Sequence, residues 1–145
     1  MSTADPSLLK LLVQLTRSVE QDLEEKLRAE LDDRLRPAHY AVFRYLAPTG
    51  SRIGDLADAA GMTQQSMGEL VTHLERCGYL ERRPDPTDRR ARLVTTTASG
   101  HTALTLAATH ITAIEHRLRE AMGAPALTNL RHLLERAQQA LASSG

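Results

Sequence analysis

The chain has 145 residues, 41% hydrophobic and 25% charged, a length and balance suited to one soluble globular domain with a packed core. No apolar run approaches the roughly 18 residues of a membrane span, no basic region leads into an apolar stretch at the start, and the lone Cys77 cannot form an intrachain disulfide; the expectation is a cytoplasmic protein without a membrane partner. Net charge is zero, but residues 1–33 carry eight acidic and four basic side chains whereas residues 34–100 carry ten basic and seven acidic, so the positive charge is concentrated in the middle of the chain.

In chain order, Leu8, Leu12, Leu15, Val19, Leu23, Leu27 and Leu31 recur at helical spacing, which predicts a first helix from about Ser7, its cap, to Leu35. Pro37, suited to the first helical position, opens a second helix through Leu46, closed by the turn residues Pro48-Thr49-Gly50-Ser51. A short helix at 54–60 stops at Gly61. Thr63 then caps a second, from Gln64 to about Cys77, with Met67, Leu70, Val71 and Leu74 on its inner face. Two short helices joined by a glycine turn form a helix-turn-helix. Residues 79–83 and 92–96 read as strands around a type I turn at Asp85-Pro86-Thr87-Asp88, which makes a hairpin with Arg89 and Arg90 at its tip. A hairpin directly after a helix-turn-helix is a winged helix. Thr97 or Ser99 caps a long helix with Leu104, Ala107, Ile111, Ile114, Leu118 and Ala121 in register; Gly123-Ala124-Pro125 breaks it, and Leu127, Leu130, Leu134, Ala137 and Leu141 mark the last one.

The fold class is therefore mainly α with a small β-hairpin wing (α+β). One domain is expected over 1–145, with the winged helix-turn-helix at about 36–98 and terminal helices at about 7–35 and 99–142. The terminal stripes read equally as intramolecular core and as a helix–helix interface. The apolar length of the three helices favours a homodimer through Leu12, Leu15, Ile111, Leu118, Leu130, Leu134 and Leu141.

Enzyme chemistry finds no support, since there is no glycine-rich phosphate loop, nucleophile elbow or HExxH pair. The six histidines form no i, i+4 pair and have no second cysteine beside them, so neither a metal nor a cofactor is expected. Cys77 falls at a helix C-terminus, where the dipole disfavours a thiolate, and reads as structural packing.

The run Asp85-Pro86-Thr87-Asp88-Arg89-Arg90-Ala91-Arg92-Leu93-Val94, preceded by Leu74-Glu75-Arg76-Cys77-Gly78-Tyr79-Leu80-Glu81-Arg82, resembles the wing signature of the multiple-antibiotic-resistance-regulator (MarR) family, and the likeness extends over nearly the whole chain. It implies a repressor of transcription that binds double-stranded operator DNA as a homodimer. Thr63, Gln64, Gln65, Ser66, Glu69 and His73 would form the recognition-helix set. Arg90 would enter the minor groove, Arg82, Arg83, Arg89 and Arg92 would meet phosphates, and Asp88 would pair with an arginine to hold the wing. Two residues depart from the family pattern. Glu69 stands where many relatives are basic, and would repel phosphate unless it accepts from a cytosine amino group or pairs with arginine; Gly68 interrupts the recognition helix. The resemblance also implies a pocket for a small phenolic or lipophilic effector near His39, Tyr40 and Phe43, with Tyr45 close by, although core packing accounts for Phe43 as well. A winged-helix protein-interaction module without specific DNA binding is the alternative, favoured by the zero net charge and by Glu69.

Overall fold

A computed structural model describes residues 5–31 and 34–143. Its elements are α1 (Leu8–Glu30), α2 (Pro37–Tyr45), α3 (Ile53–Ala60), α4 (Gln64–Arg76), β1 (Leu80–Asp85), β2 (Asp88–Thr96), α5 (Ala98–Met122) and α6 (Ala124–Ser143). Two compact units are present, Met1–Ala108 and Thr109–Gly145. Among the described residues no helix is long and apolar enough to cross a membrane.

The first helix begins as the sequence predicts, with Ser7 Oγ accepting from the Lys10 N–H at 3.1 Å. It ends at Glu30 rather than Leu35, and Leu31 leaves helical geometry at φ −116°, ψ −81°. Residues 32–33 of the predicted helix lie outside the described residues. Pro37 fixes where the next helix begins. A proline drives its predecessor out of the α region, and Arg36 is extended at φ −127°, ψ 164°. Leu35, fully buried, anchors the passage between the two helices.

The first unit is built on α2, α3, α4 and the hairpin. Val42, Leu56, Ala57, Met67, Val71, Leu74, Leu80 and Val94 are all at most 2% exposed. Each larger member of that set contributes about 1.5–3 kcal/mol by leaving water. Gly61 closes α3 at φ +68°, ψ 34°, a conformation that favours glycine, and its N–H returns to the end of that helix. The hairpin is tied to the body by a β-bridge in which Ser51 and Val94 exchange backbone hydrogen bonds of 3.0 and 2.8 Å.

Both strands are longer than the sequence suggests. They pair antiparallel from Leu80↔Thr96 to Arg83↔Leu93, then Pro84↔Arg92, and finally Asp85↔Asp88. The connecting turn is Pro86-Thr87, so Arg89 and Arg90 are not at the tip but on β2. Their charge disguises a strand that the backbone pairing supports. The register slips where Pro84 has no N–H to donate, leaving Arg89, Arg90 and Ala91 bulged out opposite a single step of β1.

Thr97, not Ser99, caps α5, accepting from the Gly100 N–H at 3.0 Å. In the second unit, the remainder of α5 and α6 meet at Gly123; Ile114 and Leu127 are buried, and Arg131 pairs with Glu115.

Candidate nucleic-acid interface

The start of α4 is fixed by Thr63, whose Oγ1 accepts from the Ser66 N–H at 3.0 Å, so this hydroxyl is engaged in capping. Met67, Val71 and Leu74 bury one side of the helix. Helical periodicity therefore turns Gln65, Gly68, Glu69, Thr72 and Arg76 outward, and with Arg82 of β1 they line an open recess of about 410 Å³. Gln64 and Ser66 are exposed beside it. The Gln64 amide lies over α3, close to Gly54.

His73 does not join that face. It stacks on His39 of α2, with ring centroids 4.3 Å apart and planes 14° from parallel. Its Nε2 lies 3.0 Å from the carbonyl oxygen of Arg34, which can only accept, so Nε2 carries the proton. The geometry makes His73 a clasp between α4 and α2. Cys77, the half-buried C-cap of α4, has its Sγ 3.6 Å from the same nitrogen.

Arg82 is likewise committed within the protein. Its Nη2 donates to Thr72 Oγ1 at 3.0 Å, and its Nε lies 2.9 Å from Glu75 Oε1. This ties the root of the wing to α4 and makes Arg82 a brace instead of a free phosphate ligand. Arg83 donates to Glu81 at 2.8 Å while remaining largely exposed. Arg89, Arg90 and Arg92 are exposed on β2 and make no ion pair among the described residues. The Arg90 N–H donates to Asp88 Oδ1 at 3.0 Å, which holds the bulge in shape.

Asp88 pairs with an arginine, Arg52, as the resemblance implies, and Asp85 secures the wing through the same guanidinium at closer range. Arg52 donates to Asp85 Oδ2 from Nε at 3.0 Å and Nη2 at 2.7 Å, whereas its Nη2 stands 4.0 Å from Asp88. Asp85 Oδ1 accepts from the Thr87 backbone N–H at 2.9 Å and from its hydroxyl at 2.8 Å. These bonds, the Thr87 N–H foremost and then the Arg52 guanidinium, push the Asp85 carboxyl down to about 2. Arg52, Asp85, Thr72 and Arg76 are the residues of this surface that the sequence reading missed. Arg52 and Asp85 are 33 positions apart, and no local pattern joins them.

The residues suggested for an effector lie on α2. The His39 Nδ1 accepts from the Arg36 N–H at 2.8 Å, capping the helix; burial, then the neighbouring His73 and Arg36, lower its pKa below 6.5. Phe43 makes an edge-to-face contact with Tyr79 at 6.5 Å, as a core residue does. The Tyr40 hydroxyl is buried without a hydrogen-bond partner among the described residues, and burial pushes its pKa up to about 12. Tyr45 is 43% exposed.

Among the proposed interface leucines, Leu12, Leu15, Leu134 and Leu141 are 37%, 39%, 36% and 79% exposed, Ile111 is 40% exposed, and Leu118 and Leu130 are half-buried. Leu8 and Leu9 extend the apolar surface of α1 at 68% and 71%.

A model of the MarR family matches residues 35–91, the span of α2 through most of the wing. The transcriptional regulator HosA of Escherichia coli O111:H- is 34% identical over 92 residues, which cover 63% of this chain and 67% of HosA. The transcriptional activatory protein BadR of Rhodopseudomonas palustris is 40% identical over 60 residues, 41% of this chain; that match spans only 34% of BadR. In three dimensions the chain is similar to the transcriptional repressor CouR bound to a 23-mer DNA duplex. The TM-score is 0.76 at 24% identity, covering 91% of this chain and 92% of CouR, which is a likeness of fold.

Proposed function

Because the chain belongs to the MarR family, we propose that it is a homodimeric, sequence-specific DNA-binding regulator that represses transcription from a pseudo-palindromic operator and is released by a small phenolic or lipophilic effector. The observation that carries this reading is the exposed outer face of α4 beside a wing whose bulge presents Arg89 and Arg90 without ion-pair partners among the described residues. A helix offered to the major groove beside a cationic hairpin offered to the minor groove is how a winged helix divides base reading from backbone attachment. The exposed leucines of α1 and α6 support self-association, since apolar surfaces of that extent usually find a partner. The unpartnered Tyr40 hydroxyl supports a ligand that carries a polar group. CouR, similar along nearly its whole length, is described as a repressor, and this supports the direction of control.

The test is DNA retardation and footprinting with the DNA upstream of the chain's own gene. The expected footprint protects two half-sites about 10 base pairs apart, centre to centre, and repression should be visible with a reporter placed downstream. In sedimentation the particle should have about twice the 16.0 kDa chain mass. Equal affinity for upstream and scrambled duplexes would refute operator binding. The protein-interaction alternative, which zero net charge and Glu69 favour, predicts that outcome.

A further inference from the structure

The carboxylate of Glu69 is the acidic group in the middle of the outward face of α4. It lines the recess one helical turn after Gln65 and just before Thr72. Of the two ways such a group could be tolerated against DNA, pairing with arginine is not the one realised. Arg82 shares the recess, but it is held by Thr72 and Glu75. Arg76 lies two turns further along the helix, and Glu69 makes no ion pair among the described residues. Gly68 beside it carries no side chain, and nothing stands within 4 Å of where one would begin, so the helix surface is low at that point and can come close to base edges.

Building on the DNA-binding reading above, we propose that Glu69 is a specificity-determining residue that selects a cytosine in each half-site by accepting a hydrogen bond from its N4 amino group. A carboxylate offers acceptors only. Guanine presents N7 and O6, both acceptors, to the major groove, and thymine presents O4 and a methyl group. Adenine has its amino donor beside the N7 acceptor, whereas cytosine presents an amino donor with no acceptor on the same base. Among phosphates spaced about 1.7 Å apart along the axis, Glu69 therefore adds selectivity through repulsion. It disfavours non-specific seating, and only a correctly placed amino group offsets that penalty. Gln65, one turn earlier, would read the neighbouring step.

The experiment selects duplexes from a randomised pool with the wild-type protein and with Glu69→Ala and Glu69→Gln. Affinities are then measured for the selected duplex and for one in which the cytosine step of a single half-site is replaced by T·A. Since Glu69 is exposed, both variants should keep the wild-type circular dichroism and melting point. Wild-type binding should weaken about tenfold on that replacement, Glu69→Ala should be indifferent to it, and Glu69→Gln should shift the preferred base towards adenine. A selected site without cytosine, or Glu69→Ala discriminating as strongly as wild type, overturns this inference and leaves DNA binding standing. If the wild type enriches no sequence at all, sequence-specific binding fails and the inference fails with it.

Discussion

Replacing Gly100 with alanine tests the joint where α5 leaves the wing. A Cβ there would lie 2.1 Å from the Tyr79 carbonyl oxygen and 2.5 Å from Thr96 Cγ2. Carbon-to-oxygen contacts normally settle at about 3.3–3.6 Å, so the overlap exceeds about 1 Å. The oxygen cannot swing aside easily, because it accepts from the Thr97 N–H at 3.1 Å. Thr97 in turn donates to the Gly78 carbonyl at 2.6 Å and caps α5 through Gly100 itself. Overpacking costs about 1–3 kcal/mol, and a disturbed cap about 1 kcal/mol more. The better helix propensity of alanine returns about 1 kcal/mol. The net loss is about 2 kcal/mol, a fall in Tm of roughly 6 °C for a chain of this size. Thermal melts at one fixed protein concentration measure it, because association would otherwise move the midpoint. Gly68→Ala is the matched control, since no heavy atom lies within 4 Å of its added carbon; it should be neutral or stabilising. A Gly100→Ala protein that melts with or above the wild type would refute the close approach and the clamp built on it.

The Asp85 carboxyl, held at about 2 against its ordinary 3.8, contributes stability that is present above 3.8 and lost as the pH falls from there to about 2. The stability gap between wild type and Asp85→Asn, read from denaturant curves, should therefore close across that window and stay constant above it. His39 titrates below its ordinary 6.5, so its contribution is present above 6.5 and declines as the pH drops through the folded value; His39→Gln should flatten that slope, and NMR titration of the ring should show the lowered midpoint. Arg90→Ala should weaken operator binding and flatten the plot of log affinity against log salt by about 0.9 for each phosphate no longer neutralised. Arg82→Ala should instead reduce stability and leave the salt slope nearly unchanged, because that guanidinium already faces Glu75.

Much of this architecture is readable from local signals. Ser7 and Thr63 reveal two helix starts because a hydroxyl at an N-cap is a one-turn interaction, and Gly61 marks a turn because few other residues accept φ +68°. The winged arrangement follows from the order of such elements. What stayed hidden depends on pairs distant in sequence. Asp85 looked like a turn residue, and its bond to Arg52 appears only when the hairpin folds back to the start of α3. His73 looked like one more polar residue on the recognition helix, but its position on the flank of α4 brings it against His39. The three-residue bulge escaped notice because alternation is lost where arginines line a strand, and Pro84 gave the sole hint of a break in the ladder.

The zero net charge takes on a different meaning once the arginines are sorted by partner. Arg52, Arg82 and Arg83 are each matched in place by Asp85, Glu75 and Glu81, and these pairs shape the wing and its root. Arg89, Arg90 and Arg92 have no such match among the described residues, and they follow one another along a single exposed strand. A sum over the chain counts both groups alike, although on the proposed DNA-binding reading the second group is the better placed to release counterions from a duplex. The same sorting isolates Glu69, an acid with no ion-pair partner among the described residues, on the face that α4 presents. Free arginines attract any duplex whatever its sequence, whereas a free carboxylate rejects every step that does not offer it a donor. On the proposed reading the wing and α4 carry opposite charges because they do opposite work, while the neutrality of the whole chain comes from the acidic excess of residues 1–33, away from both.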